Sequence, residues 1–164
     1  MHKQLLLEKI IVKLELLRQQ AVSAAMQAYN TATAEENVAE NKYDTLGLEA
    51  SYLAQGQAKR VAECEEDIAT YKLLAKGDAV DISSVSLGTL ITIMNEQGIE
   101  QELFLGPRAG GLVVSFIEKG IAKKIKIITP LSPIGTALLK REDGDEFELV
   151  VGSNIQRYEI INIG

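Results

Sequence analysis

Leu7-Glu-Lys-Ile10-Ile-Val-Lys-Leu14-Glu-Leu-Leu17-Arg-Gln-Gln-Ala21-Val-Ser-Ala24-Ala-Met-Gln-Ala28 decides the fold, because its apolar residues step by three and four. The stepping residues are Leu7, Ile10, Leu14, Leu17, Ala21, Ala24 and Ala28. A second run, Ala54, Gln57, Val61, Cys64, Ile68, Tyr71 and Ala75, repeats the rhythm with Gln57 as its one polar member. Steps of 3-4-3-4 gather on one stripe of a helix, the stripe a coiled-coil partner covers. Between the runs lies Thr31 to Thr45, polar, acidic and poor in large apolar groups. Two helices that each bury one stripe, joined by a short connection, predict an antiparallel hairpin. At 1.5 Å rise per residue, a helix from Lys3 to Thr33 is roughly 45 Å long. So small a protein does not cover such a hairpin, which therefore reads as a probe with polar chemistry at its tip.

The bulk numbers narrow the class. A chain of 164 residues suffices for one ordinary domain or two small ones. Its 46% hydrophobic and 24% charged residues are the balance of a folded protein, not a disordered one. The net charge is −6, and both halves are acidic: residues 1–76 carry 9 basic and 11 acidic groups, residues 77–164 carry 8 and 12. Sequence-independent nucleic-acid binding by the free chain is therefore not expected, and any contact with nucleic acid runs through a protein partner. The single cysteine, Cys64, allows no disulfide within the chain, lies on the apolar stripe and reads as a core residue. The single histidine, His2, is terminal, which argues against a Ser-His-Asp or Cys-His site. The Leu5-Leu-Leu7 run is interrupted by Glu8, Lys9 and Lys13, too charged for a signal-peptide core and too short for a membrane span. A cytoplasmic monomer without membrane contact is expected.

Local signals divide the chain. Thr33 followed by Glu36 has the form of a capping box and predicts a restarted helical turn at the tip. Asp44 and Thr45 are candidate N-caps for the returning helix. Gly56 within that helix reads as a site of close helix approach. Lys59, Arg60, Glu63, Glu65, Glu66 and Asp67 fall off the stripe and read as a solvated face. Lys76-Gly77-Asp78 stops the helix, with Gly77 as its C-terminal cap. The expected division is a hairpin over 1–76 with an acidic tip near 33–45, a linker over 77–86, and a β domain over 87–164.

Beyond the linker the period changes. Six runs rich in Ile, Val, Leu and Thr, separated by Gly-containing turns, predict strands: 88–94, 99–105, 112–117, 123–129, 146–151 and 156–163. Ser132-Pro133 supplies an N-cap and a first-turn proline for a short helix over 134–140. Glu142-Asp-Gly-Asp145 is a turn. Pro107-Arg-Ala-Gly-Gly111 lacks phosphate-loop spacing and reads as a strand connection. The fold class is α+β, a helical hairpin followed by a small, mostly β domain.

Ser132-Pro-Ile-Gly-Thr-Ala-Leu-Leu139, followed by Glu142-Asp-Gly-Asp-Glu146 and a β run, resembles the signature of the bacterial Gre transcript-cleavage factors. Val85-Ser-Leu-Gly-Thr-Leu-Ile-Thr-Ile93 is similar to the opening strand of that family's C-terminal domain, which has an FK506-binding-protein-like fold. The resemblance covers the whole chain in plan and is specific over 129–148. It implies RNA polymerase as partner, with the C-terminal domain docked at the rim of the secondary channel and the hairpin inside it. Tip carboxylates then help hold a Mg²⁺ shared with the polymerase, which cuts its own backtracked RNA. The chain itself is not an enzyme and has no cofactor of its own.

The resemblance also assigns residues. Cleavage factors carry Asp-x-x-Glu-Asn and a nearby Tyr at the tip. Here Asn37-Val-Ala-Glu40-Asn41-Lys42-Tyr43 matches Glu40 and Asn41, with Tyr43 one residue closer and Asn37 in place of the first carboxylate. Glu40, Asp44 and Glu36 are thus the candidate metal-assisting carboxylates, and no stable metal is expected in the free protein. Lys42 and Tyr43 are candidate polymerase contacts at the tip. Ser132, Pro133 and Ile134 are candidate docking residues, Ile134 as an apolar anchor. Leu131 stands where many relatives have Asp. The alternatives are a regulator that occupies the channel without cleavage, a coiled-coil interaction module, and a prolyl isomerase. The last would need an aromatic site from Phe104, Phe116, Phe147 and Tyr158.

Overall fold

In the computed structural model, residues 3–34, 45–77, 81–118 and 120–164 are described. The two heptad runs become helices of equal length, α1 (Lys3–Thr33) and α2 (Leu46–Lys76). The α+β class expected from sequence is the one observed. Ile11–Ala69 form one compact unit, and the rest of the chain forms another.

In the helical unit, Leu14, Ala21 and Ala28 of α1 and Ala50, Cys64 and Ile68 of α2 are buried. Leu17, Ala24, Ala54, Gln57 and Val61 are half-buried, so each stripe residue of this unit is shielded. Burying Leu14 or Ile68 contributes about 1.5–3 kcal/mol each. Arg18 crosses between the helices: its guanidinium lies 3.3 Å from Glu15 of its own helix and 3.8 Å from Glu65 of α2. Leu14 lies a turn before Arg18 and Ile68 three residues after Glu65, as an antiparallel hairpin demands.

Two local expectations are corrected. Asp67 is not on the solvated face; it is only 8% exposed. It sits immediately before Ile68, beside the stripe, at a position that a 3-4 count leaves outside. Gly56 is exposed, and a Cβ there would meet nothing within 4 Å, so it serves no close helix approach. Thr33 is the last residue of α1, its hydroxyl donating to the Tyr29 carbonyl at 3.0 Å; the helical turn expected to restart after it lies outside the described residues. Its expected capping partner Glu36 lies outside the described residues, as does Asp44. Thr45 does head α2: its carbonyl accepts from the Glu49 N–H at 2.9 Å, and its hydroxyl donates to the Glu49 carboxylate at 2.9 Å. Glu49 in the first turn also suits the positive end of the helix dipole.

The second unit combines the chain up to Ile10 with Thr70–Gly164. Its strands are β1 (Leu90–Asn95), β2 (Glu100–Leu105), β3 (Val113–Glu118), β4 (Ile121–Ile128), β5 (Glu146–Val151) and β6 (Asn154–Ile163). A short helix α3 (Pro133–Leu138) follows β4. All six strands expected from sequence are present. They form one sheet ordered β3-β4-β2-β1-β6-β5. The β2–β4 pair is parallel, and the other pairs are antiparallel.

Alternation sends side chains to both faces. On one face Ile91, Ile93, Leu103, Leu105, Ile160 and Phe147 form a core with Leu138 of α3 and Val85. Val85, assigned to the linker from sequence, donates its N–H to Arg141 and accepts from Lys140, both at 2.8 Å, and so belongs to the body of the domain. On the other face Phe104, Ile125 and Ile127 are fully buried. The helix ends reach this face. Lys9 lies 5.9 Å over the Phe116 ring, and the buried Tyr71 donates its hydroxyl to the Arg108 carbonyl at 2.9 Å. Gly106 has no side chain for a reason: a Cβ there would overlap the Tyr71 hydroxyl. The 107–111 segment is thus a strand connection, as expected, and also the seat of Tyr71.

Candidate functional site

Two places carry the residues singled out from sequence. At the hairpin tip, Glu36, Glu40, Lys42, Tyr43 and Asp44 all lie outside the described residues, together with Asn37 and Asn41. In the last turn of α1 before them, the Thr31 hydroxyl donates to the Gln27 carbonyl and the Thr33 hydroxyl to the Tyr29 carbonyl, both at 3.0 Å. Among the described residues no group of three or more His, Cys, Asp or Glu side chains is placed to hold a metal ion.

The second place is the loop from Thr129 into α3. Ser132 is an N-cap with extended backbone (φ −76°, ψ 151°). Its Oγ accepts from the Gly135 N–H at 3.1 Å and donates to the Thr129 carbonyl at 2.7 Å. Thr136 ties the same loop from the other side, its hydroxyl donating to the Pro130 carbonyl at 2.8 Å. Pro133 occupies the first helical turn, where its missing N–H costs nothing and its fixed φ suits the helix. Gly135 is buried so tightly that a Cβ would overlap the Thr129 carbonyl. Ser132 and Pro133 thus build a rigid loop, as expected.

Ile134, the expected apolar anchor, is half-buried and packs on the core. The outward apolar group is Leu131, which is 95% exposed. Sequence singled out Leu131 only as a departure from the family pattern.

The turn after α3 is equally constrained. The Asp145 carboxylate accepts from the Glu142 N–H at 2.9 Å, and Gly144 takes a left-handed φ of 85°. Arg141 joins α3 to β5: its Nε donates to the Ala137 carbonyl at 2.6 Å, one terminal nitrogen donates to the Glu146 carbonyl at 2.9 Å, and the group lies 5.7 Å over Phe147. Of the aromatics the isomerase reading would need, Phe104, Phe116 and Phe147 are buried core residues.

A family description for the C-terminal part of the transcription elongation factors GreA and GreB matches residues 79–164, which include this loop and the whole sheet. The chain belongs to the GreA/GreB family. The transcription elongation factor GreA of Treponema pallidum, the same in two strains, is 36% identical over 81 residues, covering 48% of this chain and 43% of the relative. The matched stretch therefore spans less than half the length of these curated relatives. Among solved structures, GreA factor homolog 1 (Gfh1) of Thermus thermophilus aligns over 94% of each chain at 16% identity with a TM-score of 0.38. Gfh1 of Thermus aquaticus aligns over 95% of this chain and 92% of its own at 19% identity, with a TM-score of 0.37. Among the described residues no helix is long and apolar enough to cross a membrane.

Proposed function

We propose that this protein binds bacterial RNA polymerase through its C-terminal domain, of FK506-binding-protein-like fold, and places its hairpin in the secondary channel. The family match over residues 79–164 carries the reading. The helical hairpin ahead of that domain supports it. In this reading the chain is a transcription elongation factor and not itself an enzyme. It meets nucleic acid only through the polymerase, acts in the cytoplasm and works as a monomer. The functional parts are the hairpin 1–76 and the C-terminal domain, joined by a linker that ends before Val85.

Docking uses the rigid loop at Ser132 and Pro133. Leu131 provides the apolar contact, and Ile134 holds the loop to the core. Because Ser132 fixes the loop with two hydrogen bonds, Leu131 is presented at little further entropy cost on binding. Leu131→Asp should weaken binding to core polymerase without lowering stability, since so exposed a side chain contributes little to the fold. The double change Ser132→Glu, Pro133→Gly should weaken it further. Unchanged competition by both variants would remove the loop from the interface.

At the tip, Glu40 with Glu36 or Asp44 would help hold a Mg²⁺ shared with the polymerase. Carboxylate oxygens are the hard donors this ion takes, and such an ion polarises a phosphodiester and its attacking water. Lys42 and Tyr43 would contact the active centre beside them. Glu40 lies four positions from each candidate partner, so one helical turn would bring either pair together.

Asn37 favours a second mechanism, occupation of the channel without cleavage, because it lacks the charge that the first family position carries. Backtracked elongation complexes incubated with wild type, Glu40→Ala and Asp44→Ala separate the two. Cleavage by wild type that is lost in Glu40→Ala, with binding retained, supports the catalytic tip. Tight binding without cleavage by wild type leaves channel occupation. No binding at all would sink both.

A further inference from the structure

The two edges of the sheet are finished differently. At one edge, β5 is guarded: the Glu146 carbonyl accepts from Arg141 at 2.9 Å, and Glu146 and Glu148 set charge along the rim. Charged side chains and covered backbone groups are how sheets ordinarily keep foreign strands from adding. At the opposite edge, β3 has neither over 113–117.

Register shows which backbone groups of β3 are open. The Leu112 carbonyl accepts from the Ile127 N–H at 2.8 Å, and the ladder then runs antiparallel from Val113 opposite Lys126 to Glu118 opposite Ile121. Bonded and non-bonded pairs alternate in such a ladder. Val114, Phe116 and Glu118 therefore bond to β4, while Val113, Ser115 and Ile117 turn their N–H and C=O groups outward. Among the described residues no hydrogen bond reaches those outward groups. The side chains are open as well: Val113 is 42% and Ile117 77% exposed, with Ser115 exposed between them. A bare, uncharged edge of this kind is a template for one more strand.

The neighbouring strand supplies a charge. Pairing sets Lys126 beside Val113 and Lys124 beside Ser115, on the same face of the sheet. Both lysines are exposed, and among the described residues neither has an ion-pair partner. Lys123, on the other face, is by contrast held by Glu102 and Glu118. The row of outward backbone groups fits an extended chain, and the two lysines fit an acidic one. A second copy joined edge to edge would instead set both lysine pairs on one continuous face with no carboxylate between them, which like charge disfavours. A net charge of −6 disfavours a nucleic-acid backbone.

We infer that the β3 edge takes an extended acidic segment of a protein partner, added antiparallel as a further strand, with carboxylates opposite Val113 and Ser115 that face Lys126 and Lys124. Residues opposite Val113, Ser115 and Ile117 exchange both backbone bonds with them and share the lysine face. They stand about 10 Å from β4, two strand spacings, a gap that a lysine and a glutamate side chain span together. Main-chain bonds supply the affinity and the lysines the preference for acid. The inference stands apart from the tip and the Leu131 loop, because it concerns neither.

The test uses the full chain and dye-labelled peptides, followed by fluorescence anisotropy. A peptide alternating glutamate and valine should bind, and its lysine–valine counterpart should not. N-methylation of the glutamate amides, which face β3 in this pairing, should abolish binding. N-methylation of the valine amides, which face away, should leave most of it. Ser115→Pro removes an N–H that bonds nothing in the free chain, so the melting temperature should change little while peptide binding is lost. Lys124→Gln with Lys126→Gln should weaken binding about tenfold, the sum of two exposed charge contacts. Lys13→Gln with Lys59→Gln, the same change of net charge on the helices, should leave it nearly unchanged. Equal binding of the two peptides, indifference to glutamate N-methylation, equal affinity of wild type and the Lys124/Lys126 variant, or equal weakening by the helix variant would each overturn the inference. So would displacement of the peptide by single-stranded DNA, or a dimer in sedimentation that Ser115→Pro dissociates, because the edge would then belong to nucleic acid or to a second copy.

Discussion

Gly106→Ala and Tyr71→Phe should be strongly non-additive. Tyr71 is fully buried, and its hydroxyl donates to the Arg108 carbonyl at 2.9 Å. Removing that hydroxyl deletes one neutral hydrogen bond, worth about 1 kcal/mol. A methyl group at Gly106 would overlap the same hydroxyl and stand 3.1 Å from Ile127 Cγ2 and 3.2 Å from Tyr71 Cζ. Over-packing of this kind costs about 1–3 kcal/mol, offset by about 0.4–1 kcal/mol from the stiffer unfolded chain. If independent, the two changes would together cost about 2–3 kcal/mol by these figures. Once the hydroxyl is gone, the remaining contacts need to give by only a few tenths of an ångström. The double variant should therefore cost about 1–2 kcal/mol, a coupling of about 1 kcal/mol. Urea unfolding of the full chain, with hydrogen exchange at the Leu103–Leu105 amides to report the sheet unit separately, measures the cycle. Additivity within about 0.5 kcal/mol would refute the claim that Gly106 is bare to seat Tyr71.

Gly135→Ala should push the Thr129 carbonyl off Ser132, cost about 2 kcal/mol or more and be visible as a lowered melting temperature. Leu14→Ala should cost about 2–5 kcal/mol in the helical unit, read by circular dichroism, because Leu14 is 1% exposed. Lys123 is held above the ordinary lysine range chiefly by its hydrogen bond to Glu102, then by the charges of Glu102, Glu118 and Glu100. A raised lysine pKa adds stability below the ordinary value and loses it as pH climbs through the raised one. The stability gap between wild type and Lys123→Gln should therefore be constant at neutral pH and shrink above the ordinary value of 10.5. A gap that widens there would contradict the assignment.

Much of this architecture is legible in the sequence because it is local. The 3-4 steps from Leu7 to Ala28 and from Ala54 to Ala75 name the buried stripes, and the runs rich in Ile, Val, Leu and Thr name all six strands. Ser132 announces its own cap through the proline that follows. What escapes is set by distant contacts. Asp67 looks solvent-facing because the heptad count knows nothing of how far shielding extends beside the stripe. Tyr71 reads as one more stripe residue, and its seat on Gly106 joins segments far apart in the chain. That Leu131 is exposed and Ile134 half-buried also escapes, because hydrophobicity alone does not say which of two neighbours a loop turns inward. That β3 forms an open edge depends on strand order and register, which no single run encodes.

The position of β1 also has a consequence for synthesis. β1 lies between β2 and β6 in the sheet. β2 leaves the ribosome directly after it, but Ile91 waits for Ile163 and Leu90 for Gly164. Until those residues emerge, one edge of β1 is bare beside the apolar side chains of Ile91 and Ile93, the kind of edge that recruits foreign strands. The Ile11–Ala69 part of the hairpin is a compact unit of its own and can form while the sheet is still open. A stalled nascent chain ending before β6 would therefore carry that helical unit and an aggregation-prone half-sheet.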